Sequence, residues 1–318
     1  MKVFVFGWYD HGNIGDESYK LSFTSIWPEH NFIFGEKFSE TDFDLCIIGG
    51  GDVIRENSLK VISKLNCPKI AVSVTVTAQS LCEEIHLLEH IYVRDHRSYE
   101  TLIEFGYNKV TYIPDISIIL QGNKVNGKKM ITELFQKNNS ELYENVYTIV
   151  VNAHLLGNPR TINKAKMAFD KMITDISELA DKTNASFLFL PFSTRFPWDD
   201  RVTNGLTNSY SKFYKKNCVV YDKLSVEESV DIIAASKLLI TTRFHGLIFG
   251  VGNNIPTITI SFHDKISGFC ETIDQSYMDY YNFTVKELED QINTTKLNPI
   301  NINQIKQSYL EKVYLLRK

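Results

Sequence analysis

The chain is 318 residues long, with 43% hydrophobic and 23% charged residues and a formal net charge of −4. That length holds two ordinary domains or one large α/β domain, and the composition is that of a soluble globular protein. Slight acidity gives no reason to expect nucleic-acid binding, and no stretch approaches the ~18 apolar residues of a membrane span, yet local positive clusters can still take an anionic small molecule.

The first strand, KVFVFG (2–7), runs into WYDHGNIGDES, with Gly7, Gly12 and Gly15 close together. A strand, a glycine-rich turn and a helix hold ligands against exposed N–H groups. The spacing is not the Rossmann G-x-G-x-x-G. The gap from Gly7 to Gly12 matches the Walker loop, but Asn13 and Ile14 stand where that loop needs Lys and then Ser or Thr. Asp16 reads either as a helix N-cap or as an acceptor for a sugar hydroxyl; a carboxylate there disfavours an anionic ligand. About five apolar residues precede Gly7, too few for a signal-peptide core.

The next strand, FDLCIIGGG (43–51), ends in Gly49, Gly50 and Gly51, which permit either a tight turn or close approach of backbone to a ligand. KIAVSVTV (69–76), IYVRD (91–95) and KVTYIPD (109–115) complete a first series. Arg94 either pairs with Asp95 or grips a carboxylate or phosphate. A polar stretch, 121–146, follows. The second series is YTIVVNAHL (147–155), SFLFLPF (186–192), NCVVYD (217–222), LLITTRFHG (238–246) and IPTITIS (255–261). Between these lie helical patterns at 167–183, with Phe169, Ile173, Ile176 and Leu179 in step, and at 225–237, where Ser225 and Glu228 form a capping box. Apolar strands alternating with helices predict parallel sheets covered on both faces. The expected division is a first domain at 1–125, a linker at 126–145 and a second domain at 146–318.

Ligands of such sheets lie at the carboxyl ends of the strands. There, alternation projects Arg243 and His245 to the same side, a cation beside a residue that passes protons near neutral pH. Lys265, at the next strand end, reads either as a third cation of this site or as a solvated surface lysine. No His, Cys, Asp or Glu cluster has metal-ligand spacing and no D-x-D stands at these strand ends, so the site is expected to use neither metal nor cofactor. Five scattered cysteines without C-x-x-C suit reduced thiols and a cytoplasmic location.

GWYDHGNIGDES, FDLCIIGGGDVI, VRDHRSYETL, YIPDISIIL, TTRFHGLIFGVGNNIPTITIS and FHDKISGF together resemble the polysaccharide pyruvyl transferase family, over roughly residues 1 to 270. The resemblance thins at 121–146 and 193–215, where Asp199 and Asp200 stand against the family's usual acidic position. It implies a GT-B-like fold of two Rossmann-like domains with mainly parallel sheets facing a central cleft, often with a C-terminal helix that crosses back to the first domain. It also implies transfer of the enolpyruvyl group of phosphoenolpyruvate to two hydroxyls of a saccharide acceptor. Arg94, Arg243, His245 and Lys265 would then bind phosphoenolpyruvate and act on it, with His245 as general acid. Gly12, Asn13, Gly15, Asp16, Gly50 and Gly51 would form the first domain's rim of the cleft. The competing expectations are a nucleotide-sugar glycosyltransferase on the same fold and a non-catalytic saccharide-binding relative. A nicotinamide enzyme is weaker, for want of the G-x-G-x-x-G.

Overall fold

The computed structural model describes residues 1–152, 162–195, 199–213, 215–295 and 299–316. It contains two six-stranded sheets, each parallel throughout. The first has β1 (Lys2–Phe6), β2 (Asn31–Gly35), β3 (Leu45–Gly51), β4 (Lys69–Val74), β5 (His90–Val93) and β6 (Val110–Tyr112), in the order β2-β1-β3-β4-β5-β6. The second has β7 (Asn145–Val150), β8 (Ala185–Phe189), β9 (Asn217–Val219), β10 (Leu238–Thr241), β11 (Thr257–Ser261) and β12 (Met278–Asp279), in the order β12-β11-β10-β7-β8-β9. Ten of these strands fall on the expected apolar runs. β2 and β12 were not expected. β2 is an edge strand whose residues are only partly covered, and β12 is two residues long.

The helices are α1 (Ile14–Ile26), α2 (Glu56–Ile62), α3 (His96–Glu104), α4 (Lys124–Lys137), α5 (Ile162–Lys182), α6 (Asp200–Gly205), α7 (Val226–Ala235), α8 (Phe244–Gly252), α9 (Asp264–Thr272), α10 (Val285–Thr294) and α11 (Ile302–Lys312). Among the described residues, no helix is long and apolar enough to cross a membrane. The Ser225–Glu228 capping box is present at the start of α7. Asn13, not Asp16, caps α1: its Oδ1 accepts from Gly15 N at 3.0 Å, which leaves Asp16 inside the first turn.

Contacts divide the chain into two compact units, residues 1–11, 16–119 and 301–318 in the first and 12–15 and 120–300 in the second. The first unit's core packs Phe4, Ile48, Ala71, Val93 and Leu102 between sheet and helices. Its last helix is anchored by buried Tyr309, whose hydroxyl donates to the Pro114 carbonyl at 2.7 Å, while Tyr92 donates to the Lys312 carbonyl at 2.7 Å. The second unit's core gathers Ile149, Phe169, Ile173, Phe187, Phe189, Ile240 and Ile258. Each such side chain contributes about 1.5–3 kcal/mol by leaving water.

The stretch 126–145, expected as a linker, is largely occupied by α4, which belongs to the second unit and packs on α7. Its buried positions are Gly127, Ile131, Leu134 and Phe135, helical spacing inside a polar composition. At Gly127 a Cβ would lie 1.9 Å from the Asp231 carbonyl oxygen, so only glycine lets the two helices approach this closely.

Candidate functional site

In open parallel sheets the crevice for ligands opens where the strand order reverses. In the first unit that point lies between β1 and β3, and in the second between β7 and β10. The residues beyond β7 that the sequence placed in a strand, 153–155, lie outside the described residues, as do 196–198.

In the first unit, β3 delivers Gly50 and Gly51 with φ of +64° and +87°. A Cβ on Gly50 would fall 2.1 Å from the Tyr19 ring, so both conformation and space demand glycine. The Asp16 carboxylate lies 3.7 Å from where a Gly51 Cβ would sit. Beside them Arg94 is 1% exposed and bonded on every nitrogen. Its Nε donates to Thr75 Oγ1 at 2.8 Å, Nη1 to Tyr19 Oη at 2.7 Å and Asp115 Oδ2 at 3.0 Å, and Nη2 to Asp52 Oδ1 at 3.3 Å. Tyr19 donates in turn to Asp115 Oδ2 at 2.9 Å. Burial works against the guanidinium's charge, but Tyr19, Asp115 and Asp52 outweigh it and keep the arginine firmly protonated. Asp95 is used elsewhere, as the cap of α3 through Ser98 N at 2.8 Å. Each Arg94 nitrogen thus already donates within the unit, with Asp115 and Asp52 as carboxylate partners.

The second unit holds a different arrangement. β10 ends at Thr241, whose Oγ1 accepts from Arg243 N at 2.9 Å and turns the chain into α8. Gly246 is required there, because its Cβ would meet that Oγ1 at 2.3 Å. Arg243 Nη2 donates to Asp200 Oδ1 at 2.5 Å. Asp200 is fully buried, and its Oδ2 accepts from Phe192 N and Ser193 N, both at 2.9 Å. Arg243 Nε is buried with no hydrogen-bond partner among the described residues. Buried polar groups without a partner are few in native proteins, and they occur at strained and catalytic positions.

Residues 12–15, expected on the first domain's rim, belong to the second unit. The cause is backbone pairing with the loop beyond β8. Ile14 N donates to the Phe192 carbonyl at 2.8 Å, Thr194 N to the Gly12 carbonyl at 3.0 Å, and Asn13 forms an antiparallel bridge with Ser193. Gly12 has φ +72°, and Gly15 lies so close to His245 that a Cβ would stand 2.1 Å from its Nδ1. The imidazole thus rests on bare backbone. Lys265 occupies the first turn of α9, where His263 Nδ1 accepts from its backbone N at 3.3 Å. β10 and β11 are neighbours, and Phe244 at the start of α8 meets Phe269 of α9 edge-to-face at 5.6 Å.

The structure therefore groups Gly12, Asn13, Gly15, Arg243, His245 and Lys265 in one unit. Asp16, Gly50, Gly51 and Arg94 lie in the other. Sequence reasoning missed the work of Asp200, whose partner Arg243 lies 43 residues on. It also missed Asp115, for which a carboxylate directly after an apolar strand was the available signal. Among the described residues no group of three or more His, Cys, Asp or Glu is placed to hold a metal ion.

Residues 7–264 match the model of the polysaccharide pyruvyl transferase family. No curated protein matches the chain. Among solved structures, the UDP-GlcNAc 2-epimerase of Methanocaldococcus jannaschii in complex with UDP-GlcNAc and UDP is similar with a TM-score of 0.65 at 14% identity, covering 99% of this chain and 100% of that one. The UDP-GlcNAc 2-epimerase of Neisseria meningitidis gives 0.63 at 12% identity, covering 99% and 100%. The ADP-heptose lipopolysaccharide heptosyltransferase II of E. coli gives 0.54 at 11%, covering 93% and 98%. At these identities the likeness is one of fold, and the fold is GT-B-like.

Proposed function

Because the chain belongs to the polysaccharide pyruvyl transferase family, we propose that it takes phosphoenolpyruvate as donor and builds a pyruvate ketal on a saccharide. Protonation of the donor's methylene carbon makes C2 electrophilic, and one sugar hydroxyl adds there as it loses its proton. A second hydroxyl then takes the same carbon while the C2–O bond to phosphate breaks, giving the ketal and inorganic phosphate. His245 is the acid, toward the methylene carbon or the departing phosphate. Arg243 and Lys265 neutralise charge gathering on phosphate, and the first turn of α8 offers amides to the donor's other oxygens. With charge met by side-chain cations, the reaction needs no metal. Arg94 takes no part in this reading, since each of its nitrogens already donates within the first unit.

One observation carries the proposal. Arg243 is held by a buried carboxylate on one nitrogen while its Nε lies buried and unbonded among the described residues, two residues from a histidine seated on Gly15. Its charge is met by Asp200, but the Nε–H still lacks an acceptor among the described residues, and a carboxylate or phosphate oxygen of the donor supplies one.

Calorimetric titration with phosphoenolpyruvate, in parallel with UDP-GlcNAc, tests it. Saturable phosphoenolpyruvate binding is expected, unchanged by EDTA and weakened about 10- to 150-fold in Arg243→Ala, the span of one or two charge-assisted hydrogen bonds. Binding of UDP-GlcNAc alone would overturn the reading in favour of a nucleotide-sugar transferase.

A further inference from the structure

We propose that Asp200 is the positioning residue of this site, fixing from one buried carboxylate both the Arg243 guanidinium and the backbone on which His245 rests. The inference depends on the functional reading above and adds a residue that acts through others.

A fully buried carboxylate is costly unless every lone-pair direction finds a donor. Among the partners of Asp200 in the described residues are donors of two kinds, on both carboxylate oxygens. Oδ1 takes Arg243 Nη2, and Oδ2 takes the amides of Phe192 and Ser193. Those amides belong to the loop whose next hydrogen bonds, through the Phe192 carbonyl and Thr194 N, hold Gly12 and Ile14. Gly15 follows directly and closes on His245. The cation and the acid therefore share one anchor, and displacing it moves both.

A plainer role, capping α6, belongs to its neighbour. Asp199 is the N-cap, accepting from Arg201 N at 2.9 Å and from Arg201 Nε at 2.9 Å. Asp200 is the first residue of α6, and its bonds go outward to Arg243 and the β8 loop.

The substitution Asp200→Asn separates the two tasks. Its single carbonyl oxygen can still receive the Phe192 and Ser193 amides, but the side facing Arg243 becomes an NH₂, and two donors repel. The decisive experiment is a double-mutant cycle on phosphoenolpyruvate affinity, with thermal unfolding recorded for each variant. Asp200→Asn is expected to raise Kd about tenfold, and Asp200→Asn with Arg243→Ala to bind no worse than Arg243→Ala alone. A merely structural carboxylate would lower the melting temperature and leave the Kd of folded protein unchanged, which overturns the proposal. Losses that multiply in the double variant also overturn it, because with the Phe192 and Ser193 amides retained in Asp200→Asn the link to Arg243 is the one removed. If Asp200→Asn does not fold, Asp200→Glu keeps the charge and displaces the carboxylate by one methylene; weakened phosphoenolpyruvate binding by the folded variant is then expected, and an unchanged Kd overturns the proposal. A wild type that binds no phosphoenolpyruvate overturns the functional reading and this inference together. A wild type that binds, with loss in Arg243→Ala but not in Asp200→Asn, overturns the inference alone.

Discussion

Each unit sets an arginine beyond the carboxyl end of a central strand, against a carboxylate with no solvent exposure, and the two pairs are otherwise opposites. Arg94 meets Asp115, Asp52, Tyr19 and Thr75, so each of its nitrogens already donates inside the unit. Arg243 meets Asp200 through one nitrogen and keeps Nε buried without a partner among the described residues. An ion pair at a strand end is thus not evidence of a site by itself. The informative quantity is how much hydrogen-bonding capacity the fold leaves unspent.

The largest expected effect tests the saturated side. Arg94→Met strands Asp115 as an uncompensated buried charge, and urea unfolding should show a loss of about 3–5 kcal/mol. Phosphoenolpyruvate affinity of the protein that remains folded should stay at the wild-type value. Full stability with lost donor affinity would erase the contrast between the two arginines.

On the unsaturated side, His245→Ala should leave donor binding nearly intact and lower turnover by ~10²–10⁴-fold, the usual worth of a positioned acid. Phosphate release in the presence of a saccharide acceptor is the measurement, and equal rates would remove His245 from the chemistry. A smaller effect is expected from Gly15→Ala. Its φ is ordinary, so the backbone tolerates alanine, but the new methyl needs the space 2.1 Å from His245 Nδ1. Turnover should fall by up to about 10²-fold through displacement of the ring, with Arg243-dependent binding preserved. An unchanged rate would mean that the imidazole's seat on Gly15 is irrelevant.

Much of this architecture was legible because parallel sheets bury their strands on both faces and write them as apolar runs. The exceptions have physical causes. β2 is an edge strand and β12 is too short for any pattern to register. α4 was taken for a linker because its surface is Lys- and Asn-rich, and what makes it a packed helix is a glycine facing Asp231. In the site, Arg243, His245 and Lys265 could be named from their place after strands. Whether Arg94 was structural could not, since Asp115 and Asp52 lie 21 and 42 residues away. The grouping of Gly12–Gly15 with the second unit was equally hidden, because it depends on backbone pairing with residues 192–194.

The first unit begins the chain and is finished by a helix almost two hundred residues beyond Ile119, with Tyr309, Val313 and Leu316 buried in it. On a ribosome, the sheet of residues 2–112 must therefore wait for its closing element while the whole second unit is made. At about 5–20 residues per second that delay is roughly 10–40 s. Throughout it, the surface that later receives Tyr309, Val313 and Leu316 lies uncovered on a nascent chain, and the second unit, with residues 12–15 already in hand, can be complete first.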